Sequence, residues 1–442
     1  MALIFPFRAW RYDPEKVHIE DVVTQPYDKI SPAMQQKYYQ RSPYNLIRVI
    51  LGLHQPGDNE QNNVYTRAAH DLAAWQKGGV LKEETEPAIY GYAQEYTVPG
   101  SSEVRVRHGF IALGQLYDYA EKVIYRHEQT LSKPKSDRMN LFKATRAYCE
   151  QIYLLYSDPD FATDKLVFQS GAAPDVEVTD EYGVVHRLWK VTDAKIIQAL
   201  CGAMADKKLI IADGHHRYET SVAYSKERAA TAKKQPATGT TGLPQPAFPE
   251  AAMMMTFVNM DAPGITILPT HRVVFGLKNF SVDDFIARAE KYFEVRKLAA
   301  ADAAALMSEL ASRQKSGVSL IAVTREGNYL LTAIKSAVDA KLAGISPLQR
   351  QLDVVQLHAL VLEDLLGLTQ ESIRQQENLR YLREASEAVE QVAKGEADVA
   401  FLINPVTLEQ LREVAFALEV MPQKSTDFYP KLLSGLAIYA LD

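Results

Sequence analysis

Leu209-Ile210-Ile211-Ala212-Asp213-Gly214-His215-His216-Arg217-Tyr218-Glu219-Thr220 lies near the middle of this 442-residue chain. Its four leading apolar residues read as a buried strand, and Asp213-Gly214 as the turn that ends it. Residues 218–228 contain neither Pro nor Gly, so a helix is expected there, with two histidines and an arginine where its first turn begins. A strand, a glycine turn and a helix start bring unpaired N–H groups and the positive end of the helix dipole together, which suits a phosphate or a carboxylate. Arg217 adds a bidentate grip, Asp213 can hold a metal ion or orient a hydroxyl, and His215 or His216 can move a proton. The plainer alternative is a junction in which Asp213 caps the helix and the histidines are satisfied by backbone.

The chain is too long for one ordinary core, and two to three domains follow from its length. Changes of character place the cuts: an N-terminal α/β part over 1–157, a central part over 158–280 carrying the box, and a C-terminal α/β domain over 281–442. Within the central part, residues 231–249 are rich in Ala, Thr, Gly, Gln and Pro without periodicity, and read as a flexible insertion, either a lid or an inert loop. Hydrophobic residues at 47% and charged residues at 24% are those of a soluble globular protein. A formal charge of −6, with 49 dispersed basic residues, speaks against a nucleic-acid surface. Only Cys149 and Cys201 occur, too few for a disulfide framework or a cysteine zinc site, so a reducing, cytoplasmic setting is expected. No apolar run reaches the length of a membrane span, and no Walker loop, dinucleotide-binding glycine fingerprint, nucleophile elbow or zinc-protease helix is present.

Reading outward from the box, strands are expected at 3–7, 44–51, 152–156, 252–260 and 399–403, a hairpin at 88–98 and 104–116, and helices at 63–77, 194–204 and 407–419. Five further polar clusters stand out. Tyr27 and Asp28 follow Pro26, where Asp28 either faces the same pocket as the box or serves only its turn. Asn45 or Arg48 on the expected strand 44–51 can meet a ligand or water. Arg126-His127-Glu128-Gln129-Thr130 sets a cation, a proton carrier, a carboxylate and a hydroxyl at one strand end, so that Glu128 can act as a base or bind magnesium and Arg126 can neutralise phosphate. Lys133, Lys135 and Arg138 extend that anion site or merely decorate a helix start. His271 and Arg272 follow Pro269-Thr270, and Lys424, Ser425 and Thr426 offer a point charge and two hydroxyls. Asn404-Pro405 marks a strand end of the kind where open α/β sheets place ligands.

Across the segments Gln25-Pro26-Tyr27-Asp28, Arg126 to Thr130, Ala212 to Glu219, Leu268 to Arg272 and Met421 to Lys431, the chain resembles the bacterial and archaeal family known as DUF1015. Its central box also resembles the Gly-x-x-Arg turn of the ParB/sulfiredoxin-like superfamily, which includes chromosome-partitioning CTPases, sulfiredoxin and free-serine kinases. That resemblance implies a mixed-sheet α/β core with an additional C-terminal α/β domain. It also implies a nucleotide- and Mg2+-dependent small-molecule phosphotransferase using ATP or ADP. In that scheme Gly214, His215, His216 and Arg217 cradle phosphates, Asp213 and Glu128 hold magnesium, and Glu128, with His127 beside it, takes the acceptor's proton. Arg126, Arg272 and Lys424 stabilise the transferred group, and Tyr27, Asp28, His271, Ser425 and Thr426 line the acceptor. Two alternatives stay open: a slow or non-catalytic nucleotide switch, and a metal-dependent hydrolase of a phosphorylated metabolite built on His127, Glu128, His215, His216 and His271.

Overall fold

The computed structural model describes residues 1–130, 132–168, 171–299 and 302–441, apart from the side chains at 132 and 133. Lys133, one of the basic residues considered above, is therefore outside the described side chains. Two compact units emerge. The first comprises residues 1–126, 130–266 and 430–442, and the second 127–129 and 267–429. Both are discontinuous, unlike the contiguous segments expected from composition: pairing of Tyr439–Ala440 with Ala147–Tyr148 ties the C-terminal residues into the first unit, and residues 127–129 belong to the second.

Among the described residues the first unit is built on a nine-stranded mixed sheet. Its order is Ile124–Tyr125, Leu209–Asp213, Ile152–Tyr156, Ala252–Asn259, Val104–Gln115, Ile89–Thr97, Val185–Val191 and Val176–Thr179, with Ile4–Phe5 also paired to Val104–Gln115. Leu209–Asp213 runs parallel to Ile124–Tyr125, and Ala252–Asn259 parallel to Ile152–Tyr156; the other pairings are antiparallel. Ile152–Tyr156 and Ala252–Asn259 are buried at every residue, which explains why they read as continuous rather than alternating apolar runs. Met253 and Met255 fill this core.

Local signals placed most elements. Asn63 and Thr66 form a reciprocal cap for the helix Val64–Lys77, which Gly78 ends, and its buried Val64, Ala68, Leu72 and Trp75 recur at helical spacing. Asp193 accepts from the N–H groups of Lys195 and Ile196 to start Ala194–Met204. Two expectations change. The run 44–51 is not a strand: Ile47–Ile50 is a short helix, and the Asn45 side chain accepts the Ile47 N–H at 3.0 Å while donating to Asp21 O at 2.7 Å. Asn45 is thus a local cap, and Arg48 stacks on Tyr39 and donates to Tyr39 O, so neither is presented to a ligand. β-branched apolar residues signalled burial correctly, but a run this short cannot decide between strand and helix. The insertion 231–249 has no helix or long strand, yet it is tied to itself by Gln235 N–H to Ala247 O (2.6 Å) and Gln245 N–H to Ala237 O (3.0 Å), and it buries Leu243 in the main core.

Among the described residues the second unit carries a six-stranded sheet in the order Phe293–Lys297, Gly327–Ala333, Ser319–Thr324, Val399–Leu402, His271–Val274 and Leu379–Leu382. Every pairing in it is antiparallel. Its core gathers Val273, Leu310, Ile321, Leu330, Val392 and Leu402. The fold class is therefore mixed α/β, as the sequence led us to expect. No helix among the described residues is long and apolar enough to cross a membrane.

Candidate functional site

The strand Leu209–Asp213 loses register with Ile152–Tyr156 between Ile211 and Asp213, which leaves Ala212 unpaired as a bulge and pairs Asp213 with Tyr153 at the strand end. Gly214 follows at φ +94°, and a Cβ there would meet Arg217 Nη2 and Ile152 Cδ1, each at 3.2 Å. Only glycine suits that combination of left-handed backbone and close approach. The helix His215–Ala229 starts at once, three residues earlier than expected, with Gly214 as its cap and no side-chain capping bond. The dipole end of a 15-residue helix thus opens beside Asp213.

Two buried cations hold that carboxylate. Arg217 donates from Nη2 to Asp213 Oδ2 at 2.9 Å and from Nη1 to Gln151 O at 2.7 Å, while Lys431 Nζ meets Asp213 Oδ1 at 2.9 Å. Burial pushes the Asp213 carboxyl up, but Lys431, Arg217 and Lys29 outweigh it and keep the group far below the usual carboxylate range. A second layer stands behind. Glu150 lies 3.8 Å from Arg217, accepts from Arg138 Nη1 at 3.2 Å, and accepts the Tyr27 N–H at 3.0 Å. The Arg138 guanidinium sits over the Tyr27 ring, 4.0 Å from its centroid. Burial opposes the Arg217 charge, yet Glu150, Asp213 and Asp28 restore it and keep its pKa raised. Tyr27, exposed Asp28, Asp213 and Arg217, expected to share a pocket, do belong to one electrostatic network. Lys431, Glu150 and Arg138 complete it; a lysine amid Phe428, Tyr429, Pro430, Leu432 and Leu433 was the signal for the first of these.

A separate knot in the same unit surrounds Glu219, which accepts from Thr130 Oγ1 (2.7 Å), Lys135 Nζ (3.1 Å) and Tyr119 Oη (3.2 Å), with Arg126 at 3.5 Å. Arg126 also stacks on Tyr119. Burial raises the Glu219 carboxyl, and these partners pull it down further than burial raises it. His216 is half-buried at the helix start, where its carbonyl accepts the Thr220 hydroxyl at 2.7 Å; His215 is buried.

The pentapeptide 126–130 is divided between the units, because 127–129 pack in the second. There His127, fully buried, pairs Nε2 with Thr426 Oγ1 at 2.8 Å, and its carbonyl accepts the Met421 N–H at 2.8 Å. Glu128 accepts the Lys424 N–H. Lys424 itself is exposed at φ +56°, a left-handed conformation that costs a lysine energy and persists only where neighbours enforce it. Arg272 supplies the rest of that enforcement. Fully buried against Tyr381, it donates to the carbonyls of Thr270, Gln423 (3.2 Å) and Lys424 (3.2 Å), and its Nε lies 3.3 Å from His358 Nε2. Burial lowers its pKa to about 10. Its donors are committed to backbone, so the phosphate contact expected of Arg272 gives way to positioning the loop 421–426. His271 is likewise structural: Nδ1 accepts the Ile403 N–H at 3.3 Å, and burial with the adjacent Arg272 pushes the ring down to about 3, too low for proton transfer near neutrality. Ser425 donates to Pro422 O at 2.5 Å.

The metal ligation expected of Asp213 does not fit a resident site, because both its oxygens are held by cations. Among the described residues, no group of three or more His, Cys, Asp or Glu side chains is placed to hold a metal ion.

A mixed α/β protein with a strand–glycine–helix box of buried, paired charges is thus defined. The chain belongs to the family described as protein of unknown function (DUF1015), whose profile matches residues 4–355. No curated protein matches it. Among solved structures it is similar to a conserved hypothetical protein from Pyrococcus furiosus, at 14% identity and a TM-score of 0.35, covering 71% of this chain and 91% of that one. It is also similar to a free serine kinase in complex with AMP (14%, TM-score 0.34, 69% and 83%) and to SbnI with C-terminal truncation from Staphylococcus aureus (11%, TM-score 0.35, 73% and 85%).

Proposed function

We propose that the protein is a small-molecule phosphotransferase that binds a nucleotide, ATP or ADP, through the box at Asp213–Arg217. The observation that carries this reading is the uncapped start of the helix His215–Ala229 beside Arg217 and Lys431, two cations held ready on one carboxylate. Phosphate oxygens take the helix N–H groups and share Lys431 and Arg217 with Asp213, whose depressed pKa leaves it an anchor rather than a base. Glu150 and Arg138 fix the second layer, so little reorganisation accompanies binding. Phosphoryl transfer asks mainly for positioning and charge neutralisation, which such a rigid charge network supplies. Magnesium, in this reading, arrives with the nucleotide as part of the substrate.

The experiment is a thermal-shift panel with ATP, ADP, CTP and GTP, each with and without magnesium, followed by mass spectrometry of serine and related alcohols as acceptors. A ligand that binds only the native state raises its stability by mass action. Stabilisation by one nucleotide that disappears in Arg217→Ala supports the reading; no shift with any nucleotide overturns it.

A further inference from the structure

We propose that the second unit carries its own small-molecule site, in the cavity beyond the strand Val399–Leu402, for a ligand with a lactam or carboxamide edge and an anionic tail. The cavity measures about 530 Å³, within the range of small-molecule pockets. Asp353 and Gln356 both line it, three residues apart in the helix Asp353–Gln356 and so on neighbouring positions of one face. Directly after them the helix widens into the π-helical stretch Leu357–Leu365, a distortion that recurs at functional sites.

Gln356 is only 4% exposed. Its Nε2 donates to Arg350 O at 2.7 Å, whereas its Oε1 meets no donor among the described residues. A buried acceptor without a donor, on a side chain that lines the cavity, calls for an N–H. Beside it, the Asp353 carboxylate accepts the Asn404 N–H and side-chain amide, each at 3.3 Å. Burial pushes the Asp353 carboxyl up to about 7, against the opposing pull of Asn404, so near neutrality the group also offers an O–H donor. An acceptor and a donor side by side complement the N–H and C=O of a lactam or carboxamide. At the rim, Lys315 is exposed and has no ion-pair partner among the described residues, while Lys335 and Arg350 share Asp339 at 2.8 and 3.4 Å. Three cations against one exposed carboxylate make that rim positive and suited to an anionic tail.

Calorimetry on the full chain at pH 7 tests the assignment, with inosine monophosphate, uridine monophosphate and nicotinamide mononucleotide as complete probes. Ribose 5-phosphate lacks the edge and uridine lacks the tail. The expected result is a Kd below about 1 mM for at least one complete probe, with both partial probes roughly tenfold weaker or worse. Gln356→Leu and the exposed change Lys315→Glu each weaken it about tenfold, and Arg217→Ala leaves it unchanged. Failure of all three complete probes to bind overturns the proposal. So does binding that ignores Gln356→Leu and Lys315→Glu but vanishes in Arg217→Ala, which places the ligand at the other box. Because Lys315 is exposed, its variant stays readable even if Gln356→Leu does not fold.

Discussion

Replacing Asp213 with asparagine keeps the shape of the box and removes its charge. Lys431 and Arg217, with side chains 7% and 5% exposed, are then left facing a neutral amide. Removing one partner of a buried pair costs about 3–5 kcal/mol, and the retained amide oxygen puts this variant near the lower figure, about 3 kcal/mol. At roughly 2–3 °C per kcal/mol for a domain of this size, the midpoint of the first unit falls by about 6–9 °C at pH 7. The pH dependence carries a sign that packing loss alone would not. Because the folded-state pKa of Asp213 lies below its unfolded value of about 3.9, its contribution is complete above that pH and disappears as pH falls through the folded value. The gap between wild type and Asp213→Asn therefore narrows on acidification below about pH 4. Thermal unfolding at pH 7 and at pH 3, for both proteins, measures it. A gap under about 2 °C at pH 7, or one unchanged at pH 3, refutes the claim that the charge pairs hold this corner.

Gly214→Ala, which forces a Cβ into a left-handed backbone against Arg217 and Ile152, is expected to cost about 1–2 kcal/mol in urea unfolding. Arg272→Met strips donors from the carbonyls of Thr270, Gln423 and Lys424 and is expected to cost about 2–4 kcal/mol; Arg272→Lys, lacking the planar fork, does not restore it. Glu128→Gln keeps an acceptor for the Lys424 N–H, so stability in urea unfolding is expected to change by less than about 1 kcal/mol; a larger loss means that the charge itself holds the loop 421–426. Leu243→Ala is expected to lower stability by about 2–3 kcal/mol because the insertion is anchored in the core; no change in the unfolding midpoint means the segment is loose after all.

Much of the architecture was legible in local chemistry. Asn63 and Gly78 bracket a helix, Asp193 starts another, Pro99-Gly100 turns a hairpin, and Ile152–Tyr156 announces its burial by unbroken hydrophobicity. These signals act within a few residues, so a linear reading reaches them. The box at 209–217 was legible for the same reason, down to the glycine its turn requires. Tertiary structure alone decided the partners. Lys431 reaches Asp213 across 218 residues of sequence, and Glu150 bridges Arg138 to Arg217, because strand order brings distant segments together. It also decided that Arg272 spends its guanidinium on carbonyls and that His271 stays neutral, since a side chain's burial sets which bonds and which charge it can keep.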